Sequence, residues 1–357
     1  MKIAVLGAGN TGCSLAADYT LKGHEVTLIK TSHSMHDDNF TYLTEHDNTL
    51  IMDEFGDVRA ARIHALTRDL SLVSEAQVVL ICTQTGCHQA LIDAIAPYLK
   101  AGQVLLINPG YLSTAYVLRR CGDKGVITAE SESSFIDGRI IRPGYFRVGF
   151  RNVRNPLGVY PRSALDEARK TLDALGTPFT WLESVVEAAL HNPNMIVHTV
   201  GAVMSIPRIE ATGGDYCMYH EVFTPSVWNI LEKLDGEKMA VLKHLGFAPT
   251  PYVEECKFRH SLDESKDAKA VFFEYAAMPT RAKGPVTVDS RYISEDVPQG
   301  LCMLESLGRV LGIPTPAASA IIELASAALT RNLRSGGRSV DNLGRETLKT
   351  ILADHKK

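Results

Sequence analysis

The sequence predicts an α/β chain: a doubly wound, mostly parallel sheet, followed by an all-helical half. Three observations predict it. An apolar run, Ile3 to Leu6, leads directly into a glycine pattern, Gly7-Ala-Gly9-Asn10-Thr11-Gly12. Short apolar strand runs then alternate with helical patterns as far as Glu183. Beyond Glu183 strand-like runs almost vanish and amphipathic helical stretches dominate.

The opening segment reads as strand, glycine turn, helix, strand. Its helical stripe is Leu15, Ala16, Tyr19 and Leu21, and its second strand is Glu25 to Ile29. Gly7 suits the tight turn, Gly9 lets backbone approach a pyrophosphate, and Gly12 lets the helix pack close to the strand. Asn10 and Thr11 complete the turn, where the helix N-terminus offers unpaired N–H groups to phosphate. This context marks a Rossmann-type dinucleotide site.

Further strands are expected at Gln77 to Cys82, Gln103 to Ile107, Gly125 to Thr128 and Phe179 to Leu182. Helices are expected at Gln89 to Leu99, Thr114 to Arg120 and Ser163 to Leu175. Thr49 to Leu66 alternates around Gly56 and reads as an antiparallel insertion; Arg139 to Val153 reads as a second two-stranded element turning at Pro143-Gly144. These elements place a dinucleotide-binding domain at residues 1–183 and a helical substrate domain at 184–357. The helical candidates are 184–206, 225–246, 298–311, 316–331 and 345–354. Thr224-Pro225 and Thr315-Pro316 place a Thr N-cap before Pro, and Gly246 and Gly312 suit helix ends. Lys257 to Ser290 is polar and irregular, and reads as a mobile lid.

Composition bounds the function. At 45% hydrophobic and 22% charged residues the chain is ordinarily globular, and a net charge of -4 without blocks of one sign points away from nucleic-acid and membrane partners. No apolar run approaches the ~20 residues of a bilayer span, and the run after Lys2 is too short for a leader. Seven scattered cysteines without a C-x-x-C pair favour a reducing, cytoplasmic setting over a disulfide or zinc framework. No metal site is expected; His33, His36 and His46 with Asp37 and Asp38 read as a solvated loop.

The second strand ends Leu28-Ile29-Lys30-Thr31-Ser32, without the acid that takes ribose hydroxyls in NAD sites. Lys30 can meet a 2′-phosphate, with Thr31 and Ser32 as hydroxyl donors, so NADP(H) is expected over NAD(H). Thr83, after one strand, and Asn108, after the next, occupy the sheet edge where such folds bind ligands.

Two segments of the helical half carry acid–base chemistry. In Ala188-Ala-Leu-His191-Asn192-Pro193-Asn194-Met-Ile-Val-His198, Asn194 and His198 share a helix face. Pro193 either kinks a long helix or starts a new one capped by Asn192. In Asp289-Ser-Arg291-Tyr292-Ile-Ser-Glu295-Asp296, Arg291 offers a planar fork for a carboxylate and Asp296 can orient an imidazole.

The chain resembles the octopine/nopaline (opine) dehydrogenase family. The matching features run nearly end to end: the N-terminal Gly-Ala-Gly-Asn-Thr-Gly, Asn108-Pro-Gly110, Asn192-x-Asn194-x-x-x-His198, and Ile209-Glu210 before Gly213-Gly214. Phe223-Thr-Pro-Ser-Val227 running to Asp235, Arg291-Tyr-x-x-Glu-Asp296-Val-Pro-x-Gly-Leu301, Gly312-Ile-Pro-Thr-Pro316 and Gly337-Arg-Ser-x-x-x-Leu-Gly344 complete them. The resemblance implies a Rossmann domain followed by a helical domain of the 6-phosphogluconate dehydrogenase C-terminal type, with the active site in the cleft between them. It implies NAD(P)H-dependent reductive condensation of an amino acid with an α-keto acid, or the reverse oxidation. It makes His198 the acid/base, Asp296 its partner and Arg291 the holder of a substrate carboxylate. Thr199 stands where many members carry Pro.

Two other readings share the glycine turn. A ketopantoate-reductase-like enzyme would reduce a 2-keto acid without an amine, using Lys where this chain has His198. A non-catalytic NADP-binding regulator would need no His198–Asp296–Arg291 set. The partners expected are small molecules, and homodimerisation through the helical half is allowed.

Overall fold

A computed structural model describes residues 1–33, 35–281 and 283–354. The chain divides into two compact units, Met1–Val185 and a second that begins at Val186.

The first unit opens with β1 (Lys2–Leu6), α1 (Asn10–Leu21), β2 (Glu25–Ile29) and α2 (Asp37–Glu45). Then come β3 (Thr49–Glu54), β4 (Asp57–Arg62), β5 (Ala65–Thr67), β6 (Val78–Ile81), α3 (His88–Ile95) and β7 (Val104–Ile107). α4 (Thr114–Cys121), β8 (Ile127–Ser131), β9 (Ile136–Arg142), β10 (Tyr145–Arg151), β11 (Asn155–Tyr160), α5 (Leu165–Asp173) and β12 (Phe179–Trp181) complete it.

Eight strands form one sheet in the order β12-β11-β8-β7-β6-β1-β2-β5, parallel except where β11 runs against β8. β6 and β7 are buried at every residue, as sheets covered on both faces require. Register sets the site. Leu6 pairs with Ile29 and Ile81, and Ile81 pairs with Ile107, so these strands end level. Gly7, Lys30, Cys82-Thr83 and Asn108 therefore emerge along one edge.

The two antiparallel elements expected as separate insertions are in fact one sheet, ordered β4-β3-β10-β9. β3 and β10 pair in parallel, with Ile51 N–H donating to the Gly144 carbonyl at 2.9 Å. Gly144 is obligatory there. Its φ is +74°, and an added Cβ would lie 2.2 Å from the Tyr42 ring.

The second unit is helical, beginning with α6 (Val185–Leu190), α7 (Pro193–Met204), α8 (Ile206–Thr212), α9 (Met218–Glu221) and α10 (Pro225–Leu245). α11 (Tyr252–His260), α12 (Ala268–Ala276), α13 (Arg291–Ser294), a π-helical turn over Val297–Leu301, α14 (Cys302–Leu311) and α15 (Pro316–Ala328) follow. α16 (Val340–Leu343) and α17 (Arg345–Asp354) end the described chain.

The stretch 184–206 is broken rather than continuous: Asn192 caps α7, its side chain accepting from Asn194 N–H at 3.0 Å, with Pro193 at the first helical position. Thr224 and Thr315 occupy N-cap positions but make no side-chain cap bond. For α15 the buried Glu237 does that work, accepting from Ala317 and Ala318 N–H at 2.7 and 3.0 Å. An ionised carboxylate outcompetes a hydroxyl at the positive end of a helix. Gly246 and Gly312 end α10 and α14 in the left-handed conformation, as expected. The stretch expected to be irregular, Lys257 to Ser290, contains α12, capped by the Asp267 side chain. Among the described residues no helix is long and apolar enough to cross a membrane.

Candidate active site

The dinucleotide half is built for a diphosphate. Gly7 has φ +106°, and a Cβ on Gly12 would sit 1.6 Å from the Gly7 carbonyl oxygen, so neither position takes a side chain. Gly9 caps α1 with no side-chain bond, which leaves the first-turn N–H groups to a ligand. Thr83 Oγ1 and Asn108 Nδ2 are buried without partners at the sheet edge. Two orphaned polar atoms beside a bare helix N-terminus fit a polar cofactor. Asn108 is held by its other atom, Oδ1, which accepts from Ser131 Oγ at 2.8 Å. Thr11 lies half-buried in the first turn of α1.

Two expected cofactor residues make side-chain contacts within the protein. Asn10 Oδ1 accepts the Ile140 N–H at 2.8 Å, so its side chain ties α1 to β9. Lys30 is 3% exposed. Its Nζ donates to Ser32 Oγ at 2.9 Å and the Met35 carbonyl at 2.7 Å, and pairs with Asp37 at 3.2 Å. Arg68 reaches the same Asp37 oxygen at 2.9 Å. Arg68 and then Lys30 hold the Asp37 carboxyl below the usual carboxylate range. Thr31 is half-buried beside them. Asp37 and Arg68 lie eight or more residues past the strand end, and nothing in the local pattern marks them.

In the helical half the expected pair is assembled. His198, in the second turn of the capped α7, presents Nδ1 to Asp296 Oδ2 at 2.8 Å. The carboxylate can only accept, so the Nδ1–H donates and the neutral ring's Nε2 is an acceptor. Asp296 is buried and stands where α13 gives way to the π-helical turn, a distortion that recurs at functional sites. Nε2 receives the Tyr219 hydroxyl at 2.9 Å. Tyr292 stacks on the imidazole with centroids 4.0 Å apart and planes at 23°. Tyr219 had no sequence signature, since α9 is a single four-residue turn. Asn194 lies half-buried one turn before His198.

Arg291 is not part of this hydrogen-bonded chain. It begins α13, is 60% exposed, and pairs with Glu295 at 3.0 Å. A second guanidinium lies deeper: Arg281 covers the rings of Tyr219 and Tyr275 at 4.6 and 4.0 Å.

Known proteins agree with both halves. Residues 181–329 match the family described as NAD/NADP octopine/nopaline dehydrogenase, alpha-helical domain, and residues 3–130 match ketopantoate reductase PanE/ApbA. An opine dehydrogenase of Arthrobacter sp. (strain 1C) is 29% identical over 346 residues, 96% of this chain and 94% of that protein. An octopine dehydrogenase solved with NADH and agmatine superposes with a TM-score of 0.77 at 17% identity, covering 99% of this chain and 98% of that one. A yersinopine dehydrogenase with NADP+ bound gives 0.71 at 15% identity, covering 99% and 98%. The chain therefore carries an octopine/nopaline dehydrogenase alpha-helical domain behind a dinucleotide-binding domain, resembles the opine dehydrogenases over nearly its whole length, and is an NAD(P)-dependent oxidoreductase.

Proposed function

We propose that the protein joins the amine of an amino acid to the carbonyl of an α-keto acid and reduces the adduct, giving a secondary-amine dicarboxylate. The observation that carries this reading is the buried Asp296–His198 pair, 2.8 Å apart, whose far nitrogen is set to exchange a proton. Bound NAD(P)H supplies the hydride that reduces the C=N carbon. The glycine turn, Thr83 and Asn108 would hold the dinucleotide.

Neutral His198 takes a proton from the amino acid's ammonium, freeing the nucleophilic amine. The amine adds to the keto carbon, and the proton left on nitrogen moves to oxygen, giving a carbinolamine. The imidazolium returns its proton to the carbinolamine hydroxyl, which leaves as water, and the C=N bond forms. Asp296 fixes the ring tautomer and stabilises the transient imidazolium. Ammonium, ketone and hydride thus give one secondary amine and one water. Arg291 would exchange Glu295 for a substrate carboxylate, which its exposed planar fork can grip with two bonds.

NADP(H) is the preferred cofactor on this reading, because Lys30 and Arg68 share a single carboxylate, Asp37, and leave net positive charge at the end of β2. Seven free cysteines support a reducing, cytoplasmic setting.

The test is a screen of NADPH oxidation with amino acids against pyruvate, glyoxylate, oxaloacetate and 2-ketoglutarate. Oxidation that needs both partners is expected. Oxidation by keto acid alone would make the protein a ketopantoate-reductase-like enzyme. Dinucleotide binding without turnover in any pairing would make it a regulator.

A further inference from the structure

The imidazole of His198 has no nitrogen left for a substrate. Nδ1–H is committed to Asp296, and the single lone pair of Nε2 is taken by the Tyr219 hydroxyl at 2.9 Å. Tyr292 stacks on the ring at 4.0 Å, and the His198 side chain is only 10% exposed. A substrate oxygen meets the histidine's proton either by displacing the phenol or by bonding to it.

The phenol is poorly placed for displacement. Tyr219 is buried. Tyr275 meets its ring edge-on at 5.9 Å and 88°, Phe272 packs at 6.4 Å, and the Arg281 guanidinium covers it at 4.6 Å. A ring held on three sides keeps its hydroxyl aimed. The group is also chemically suited to pass a proton without trapping one. Burial pushes the phenol well above its usual range, with Tyr275 adding and Arg281 opposing, so it stays a neutral O–H.

We infer that Tyr219 relays the proton between Nε2 of His198 and the reacting oxygen. In the dehydrating step the phenol O–H is given to the carbinolamine hydroxyl. The same phenol oxygen takes the Nε2 proton of the imidazolium. The C–O bond breaks, water leaves, the nitrogen lone pair forms C=N, and phenol and imidazole both end neutral. The reverse movement carries the ammonium proton inward. Asp296, His198 and Tyr219 then form one proton path, in which Tyr219 touches the substrate.

This inference rests on the amine-condensing reading of the same site, and the experiment separates the two. Tyr219→Phe keeps the packed ring and removes only the hydroxyl. With amino acid and keto acid saturating, it is expected to lower kcat at least about tenfold. In a His198→Gln background the same change is expected to alter kcat by less than about twofold, because the path is already cut. In the dinucleotide-free protein, the nitrogen-15 resonance of His198 Nε2, which the Tyr219 hydroxyl meets at 2.9 Å, is expected to move in Tyr219→Phe. It should stay in place in Tyr275→Phe, which removes a neighbouring phenol that does not touch the imidazole. An unchanged or raised kcat in Tyr219→Phe overturns the inference and makes the phenol a plug. An equal loss in both backgrounds overturns it too, as a packing effect. A wild-type protein with no amine-dependent turnover fails the condensing reading instead, and the NMR comparison alone then decides whether Tyr219 is coupled to His198.

Discussion

Asp296→Asn is the sharpest test of the acid–base assignment. The substitution keeps the shape of the side chain and removes its charge. Asp296 is 4% exposed and accepts the His198 Nδ1–H at 2.8 Å, so water does little to replace the lost interaction. A hydrogen bond to a charged group contributes about 1.5–3 kcal/mol. That bond matters most when the ring is an imidazolium, as it is when the proton returns to the leaving hydroxyl. At about 1.36 kcal/mol per factor of ten, kcat should fall roughly 10- to 150-fold. The assay is steady-state loss of reduced-nicotinamide absorbance with both organic substrates saturating, beside dinucleotide binding measured by fluorescence. Binding should stay within about twofold, since a lost transition-state interaction lowers kcat without weakening the cofactor. A kcat within about twofold of wild type would refute the claim that Asp296 supports the charged imidazole.

His198→Gln should lower kcat by at least about a hundredfold and spare NADPH binding; a near-normal kcat removes the imidazole from the mechanism. Arg291→Lys should mainly raise the keto-acid KM, because a point charge replaces a planar fork, and an unchanged KM leaves Arg291 with its Glu295 pairing alone. The ratio of kcat/KM for NADPH to that for NADH should exceed one and fall in Arg68→Ala; a preference for NADH would show that the cations at the end of β2 do not read a 2′-phosphate. Burial, with Lys238 and Arg259 nearby, pushes His191 down to about 2. The unfolded chain then binds the extra proton, so this contribution is complete above the ordinary histidine range and drains away as pH falls below about 6.5. By about pH 5 wild type should have lost roughly 2 kcal/mol more of unfolding free energy than His191→Asn, measured by urea titration; parallel pH curves would refute it.

The glycine turn, the βα alternation and the helical second half were legible because each is local. A strand's period, a helix's apolar stripe and a turn that excludes Cβ are properties of a few adjacent residues. Asn192 as a cap was one of two local readings of Pro193, and the structure selects it. What could not be read was pairing between distant segments. The Thr49–Leu66 and Arg139–Val153 elements each look complete alone, and only packing brings β3 beside β10 at Ile51 and Tyr145. Glu237 likewise caps a helix 80 residues ahead of it, where the adjacent Thr315 looked sufficient.

By itself the sequence determined that a dinucleotide turn precedes a helical half, and it named His198 and Asp296 as candidates through the motifs they share with opine dehydrogenases. Only the tertiary structure decided what those groups touch. Asp296 lies 98 residues from His198, and Tyr219 lies 21 from it on a single helical turn with no pattern of its own. It also decided that Lys30 is a buried tether beside Asp37 and Arg68, and that Arg291 faces Glu295. The physical reason is that hydrogen bonds act over about 3 Å of space and carry no memory of chain separation. Which donors and acceptors meet is fixed by how helices and strands pack, after local patterning has already chosen the elements.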